Sequence, residues 1–253
     1  MRASGAFTLT LTSFASVGDR PIPTLRVPPV SGCVPPVSRA LSERRRHHVP
    51  HQHRHACARI SVLPRHAVGA QAVECPVSGG CHRADTANIS IFVGCSRPVF
   101  ERVLPLLTLM GRRVLHTGDL GSASILKVMT NYLATANLLS VCEALVTMKA
   151  AGLDLATTYE AIKISSGTSF VHETESQLIL SGSRDVNFTM DLVLKDIGLF
   201  QKIADDLGVP LELSPQIISI MQDGQARFGA RAQSDRIKAR VEPGQGGQLP
   251  PPP

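Results

Sequence analysis

The stretch Gly118-Asp119-Leu120-Gly121-Ser122-Ala123-Ser124-Ile125-Leu126-Lys127-Val128-Met129-Thr130-Asn131 marks the point where the chain changes character. Short β-rich runs flank a single helical run before it, and the pattern after it stays helical for over a hundred residues. From Ser122 to Ala150 there is neither Pro nor Gly, and Ile125, Met129, Leu133, Ala136, Val141, Ala144, Leu145 and Met148 supply the apolar positions. That spacing predicts one helix over 122–150, about 40 Å long at ~1.5 Å per residue. Lys127 and Asn131 stand four apart on it, hence on one face, so an ammonium and an amide address the same space.

Upstream, Ile89-Ser90-Ile91-Phe92-Val93-Gly94 reads as a strand, Arg97 to Met110 as a helix and Arg113 to His116 as a second strand. Strand, helix and strand at that spacing form the βαβ unit of a parallel sheet. Downstream, Gly152 stops the long helix and Asp154 can cap the next, near Leu155 to Ser165. Further helical periods cover Phe170 to Leu180, Met190 to Leu207 and Ser214 to Phe228, with a loop at Asp185 to Phe188. The expected architecture is an α/β, partial Rossmann-like domain at 71–118 followed by an all-α domain at 119–237. A disordered or atypical basic segment at 1–70 precedes them, and a disordered tail at 238–253, rich in Gly, Gln and Pro from Gly244, follows.

The 253 residues are 43% hydrophobic and 18% charged, with no Trp and 4% aromatics, so the core must be aliphatic. The net charge of +6 is unevenly placed: residues 1–73 hold ten Arg against Asp19 and Glu43, a net of +8, which leaves −2 for residues 74–253. The globular part is therefore not a polyanion binder, and no nucleic-acid partner is expected. Arg44-Arg45-Arg46-His47-His48, with His51, His53 and His55, could hold a metal or meet an acidic surface, but a solvated basic run is the expected reading. Cys33, Cys57, Cys75, Cys81, Cys95 and Cys142 show no zinc-site spacing and read as free thiols in a reducing compartment. The expected location is cytoplasmic. The alternative is mitochondrial, because the amino-terminal stretch is rich in Arg and Ser and poor in acids. No run of about 18 apolar residues is seen, so no membrane is expected.

Two further motifs carry chemistry. In Glu74-Cys75-Pro76-Val77-Ser78-Gly79-Gly80, one hydroxyl and two residues without Cβ let backbone N–H groups approach an anion closely. Lys195-Asp196-Ile197-Gly198-Leu199 lies on a later helix, where Asp196 reads as structural, pairing with a helix or a nearby Lys. In their order and spacing, these two motifs and the Gly118–Asn131 stretch resemble the signatures of the β-hydroxyacid dehydrogenases, the 3-hydroxyisobutyrate dehydrogenase family, over about residues 72–237.

The resemblance implies an oxidoreductase that transfers a hydride between NAD or NADP and a small 3-hydroxy acid or its semialdehyde. It assigns proton transfer to Lys127, substrate orientation to Asn131, substrate binding to Ser78, Gly79 and Gly80, and a cofactor contact to Lys195. It also implies a homodimer or homotetramer built through the helical domain. The chemistry of Lys127 agrees, since apolar surroundings disfavour its charged form and bring its pKa toward the working range.

Departures from the family pattern point to an alternative, a truncated and catalytically silent oligomerisation module. No G-x-G-x-x-G turn occurs in the chain, and Gly5, Gly18, Gly32 and Gly69 are widely separated. Arg59, Pro64, Arg65 and His66 stand where an apolar strand is expected, so residues 1 to about 70 read as foreign to the family's amino-terminal part. Smaller departures are Glu74 for Asp, and Ala87 and Ala123 for Gly, each cheap unless φ is positive there.

Overall fold

The computed structural model describes residues 7–9, 25–27, 71–183 and 186–242. The expected disorder of the first 70 residues and their His-rich run lie otherwise outside the described residues; β1 (Phe7–Leu9) and β2 (Leu25–Val27) pair antiparallel. The α/β part holds β3 (Val77–Ser78), α1 (Gly80–Asp85), β4 (Ser90–Gly94), α2 (Arg97–Met110) and β5 (Arg113–Gly118). These strands form a sheet of order β3-β4-β5. β4 and β5 are parallel around α2, as the spacing predicts, whereas β3 runs antiparallel to β4 with Val77 opposite Ile91. The helical part holds α3 (Ser122–Ala150), α4 (Leu155–Lys163), α5 (Phe170–Ser181), α6 (Met190–Leu207), α7 (Leu213–Phe228) and a closing 3₁₀ helix (Ser234–Arg240).

Two aliphatic cores result. Val73, Ile91, Val93, Val99, Val103 and Leu107 pack the sheet against α2. Leu138, Val141 and Leu145 of α3 meet Val171, Val193, Ile197 and Met221 in the helical part. Apolar burial is the main stabilising term in both. Asp154 caps α4 as predicted, its Oδ2 accepting the Thr157 N–H at 2.7 Å.

The structure differs from the sequence reading in two respects. α3 is long and apolar enough to cross a bilayer by length and composition, contrary to expectation. It packs along α4, α5, α6, α7 and the 3₁₀ helix, which makes it the central helix of a folded bundle. The ordered helical part also continues past residue 237, because the buried Arg240 guanidinium binds the Asp223 carboxylate of α7.

Ala87 has φ +52°, in the left-handed region. The turn follows α1, where the Ala87 N–H donates to the Ala84 carbonyl and the Asn88 N–H to the Arg83 carbonyl. A Cβ there costs about 1–2 kcal/mol, partly offset by the roughly 0.4–1 kcal/mol that Gly loses through its freer unfolded chain. Ala87→Gly is expected to stabilise the chain by about 0.5–1 kcal/mol in denaturant unfolding. A destabilised variant would contradict this account of the turn.

Candidate functional site

The site grows from two places where backbone geometry demands glycine. Gly79 and Gly80 follow β3 with φ +130° and +76°, so the turn after Ser78 takes a course that L side chains rarely follow. Gly121, with φ +99°, starts α3. Glu74 joins the two regions. Its backbone N–H and carbonyl pair with Gly94 at 3.0 Å each, and its side chain turns toward α3. There Oε2 accepts the Gly121 N–H at 2.7 Å and Oε1 accepts the Ser124 hydroxyl at 3.1 Å. The carboxylate is buried, and it fits because Gly94 has no side chain: a Cβ there would lie 2.7 Å from Oε2. A carboxylate at a helix N-terminus satisfies an orphan N–H and meets the positive end of the helix dipole. Glu74 therefore reaches its partners despite replacing the family's shorter Asp. Ala123 sits in the first helical turn, where an Ala costs nothing.

One turn further along α3, Lys127 and Asn131 face α6. The Asn131 Nδ2 donates to Asp196 Oδ2 at 2.5 Å, and the Lys195 Nζ lies 3.3 Å from Asp196 Oδ1. Tyr132 and Phe200 stack beside them, ring centroids 4.2 Å apart, and fix how α3 lies on α6. Three of the residues singled out from sequence, Lys127, Asn131 and Lys195, thus gather around one carboxylate. Ser78, Gly79 and Gly80 share no hydrogen bond with Lys127 or Asn131 among the described residues; they connect to α3 through Glu74.

Asp196 is the residue whose part sequence reasoning understated. Reading it as a structural partner for a neighbouring Lys captured the Lys195 ion pair and missed the Asn131 bond. Its buried position, 2% exposed, on the face turned toward α3 was the signal, and it requires knowing which helix α6 packs on.

Burial lowers the Lys127 amine from 10.5 to about 8; the Asp196 carboxylate opposes this and the Lys195 ammonium adds to it. Because its folded value is the lower one, the unfolded chain binds more protons between pH 8 and 10.5. The destabilisation from burying this ammonium is therefore fully present below about pH 8 and is relieved as pH rises toward 10.5. Among the described residues no group of three His, Cys, Asp or Glu is placed to hold a metal.

Carbon-13 NMR of the labelled lysines is expected to show Lys127 titrating near pH 8. Asp196→Asn should lower that value further, since the carboxylate stabilises the ammonium. An amine titrating with the ordinary surface lysines would contradict the geometry.

Two family models match the chain. Residues 61–118 match the NAD binding domain of 6-phosphogluconate dehydrogenase, and residues 121–239 match a domain described as NAD-binding of NADP-dependent 3-hydroxyisobutyrate dehydrogenase. A 2-(hydroxymethyl)glutarate dehydrogenase of Eubacterium barkeri is 36% identical over 159 residues, which cover 62% of this chain and 53% of that protein. An L-threonate dehydrogenase of Escherichia coli O6:H1 is 26% identical over 172 residues, covering 67% of this chain and 57% of the relative. The chain thus spans a little over half the length of these curated relatives. Among solved structures, a 3-hydroxyisobutyrate dehydrogenase from Salmonella typhimurium shares the fold with a TM-score of 0.63 at 23% identity, over 68% of this chain and 61% of that one. With both consecutive models matched and the three motifs in place, the chain belongs to the 3-hydroxyisobutyrate dehydrogenase family.

Proposed function

We propose that this chain is an NAD(P)-dependent oxidoreductase acting on a small 3-hydroxy acid or its semialdehyde, with Lys127 as the proton-transfer group. The observation that carries this reading is the buried Lys127 amine, brought to about pH 8 beside the Asn131–Asp196 pair. An amine near neutrality populates both protonation states, the condition for an efficient general acid and base. The neutral form accepts the proton from the substrate hydroxyl, and the ammonium returns it to the carbonyl in the reverse direction. Asn131 spends one amide N–H on Asp196, which leaves the second to donate to the substrate oxygen and turn the hydroxyl proton toward Lys127. Ser78 and the Gly79–Gly80 turn supply a hydroxyl and open backbone for the substrate carboxylate.

The nicotinamide end of a cofactor fits the residues present, because Lys195 lies half-exposed at the rim of the cluster and can meet it there. When bound, that ring takes or gives the hydride. The pyrophosphate end has no G-x-G-x-x-G turn to receive it in this chain. The names of the relatives, dehydrogenases of 2-(hydroxymethyl)glutarate, L-threonate and 3-hydroxyisobutyrate, support hydroxy acids as the class.

A second reading is a catalytically silent module that associates through its helices. The missing glycine turn favours it, as does an open apolar groove of about 660 Å³ between the end of α3 and α4, near Met148, Leu153 and Ile162. Association into a homodimer or homotetramer through the helical part is part of both readings. The free thiols of Cys75, Cys81, Cys95 and Cys142 support a reducing compartment, the cytoplasm ahead of the mitochondrion.

Cofactor fluorescence separates the two readings. The dehydrogenase reading expects NADPH or NADH to bind the purified chain in the micromolar range, more weakly in Lys195→Ala. Lys127→Ala should keep that binding and lose about 10²–10⁴-fold in turnover. Absence of binding up to millimolar cofactor would favour the silent module.

A further inference from the structure

Arg83 belongs to none of the three motifs, yet it lies against the first of them. A Cβ added to Gly79 would stand 2.9 Å from Arg83 Cδ and 3.3 Å from its Cβ, so the side chain covers the substrate turn. At its far end the guanidinium carbon is 4.3 Å from the centroid of the Phe170 ring, the first residue of α5. One side chain thus runs from the turn of the α/β part to the helical part. No carboxylate lies within ion-pair distance of Arg83 among the described residues, whereas Arg97, Arg227, Arg231 and Arg240 each have one.

Stacking on an aromatic ring occupies the plane of a guanidinium and leaves its N–H edge for hydrogen bonds. That edge is a planar fork matched to a carboxylate, and the packing on Gly79 and Phe170 has already restricted the rotamers of a long side chain. The Ser78–Gly80 turn is the place for the carboxylate next to the reacting carbinol. With its stem against Gly79 and its head over Phe170, the guanidinium is placed to meet a group further along a substrate than that carboxylate. A hydroxy acid with one carboxylate offers it nothing.

We propose that Arg83, held between the Gly79 turn and the Phe170 ring, selects 3-hydroxy acids that carry a second carboxylate by pairing with that carboxylate. The inference rests on the function proposed above, in which Ser78 to Gly80 take the first carboxylate.

The test measures binding of three kinds of ligand to the full chain by calorimetry, with NADP⁺ present. One is 3-hydroxyisobutyrate. The second is a pair of dicarboxylates with the same hydroxymethyl-acid head and a second carboxylate one or two methylenes away. The third is their alkyl counterparts of equal length. The dicarboxylates are expected to bind about tenfold or more tightly than the alkyl counterparts, the gain of one charge-assisted pair. In Arg83→Met, which keeps an apolar stem over Gly79, the ratio should fall to about one. No preference in the wild type, or one that survives in Arg83→Met, overturns the proposal while 3-hydroxyisobutyrate binding leaves the general function standing. Failure of the wild-type chain to bind any of these acids removes the function itself, and the role of Arg83 with it.

Discussion

The buried Glu74 carboxylate is the interaction on which the arrangement of this molecule depends. It accepts the N–H that opens α3 and the Ser124 hydroxyl one turn in, from a residue whose backbone is bonded to the end of β4. The Ser78–Gly80 turn begins four residues after Glu74, and Lys127 lies three residues after Ser124. One side chain therefore sets the distance between the group that would hold an acid and the group that would move its proton. The arrangement requires a bare Cα at Gly94, because any side chain there would occupy the space of the carboxylate.

The second constraint is the burial of Lys127. Withdrawing an ammonium from water is unfavourable, and the structure limits the cost with one carboxylate, Asp196, shared among Lys127, Lys195 and Asn131. Asp196 is too committed to neutralise Lys127 fully, and burial prevails, which leaves the amine near the pH where proton transfer is efficient. Stability and chemistry pull in opposite directions at this position, as is common where a fold carries a function.

Much of this was legible in the sequence, for physical reasons that differ from element to element. α3 could be read to both ends because no Gly or Pro interrupts residues 122–150, and α2 and α6 because apolar spacing and flanking turn residues agree. Lys127 and Asn131 could be placed on one face from helix geometry alone. β3 could not be given a direction, since two residues carry no period, and its antiparallel pairing is fixed by the Gly79–Gly80 turn and by contacts with β4. The Asn131–Asp196 bond joins residues 65 apart and depends on how α3 crosses α6. The strain at Ala87 is likewise a matter of φ, which side-chain identity does not reveal. Arg240 extends the helical part past its expected end by a pairing with Asp223 that no local pattern announces.

The central claim is that the Glu74 carboxylate mechanically joins the strand leading to the Gly79–Gly80 turn to α3, the helix that carries Lys127. A double-mutant cycle measures this most directly: denaturant unfolding of the wild-type chain, Glu74→Ala, Ser124→Ala and the double variant. The account predicts a coupling energy of about 1 kcal/mol or more between the two positions, the worth of a hydrogen bond to a buried charge. Effects that add to within about 0.3 kcal/mol would show that the two residues act independently, and would contradict it.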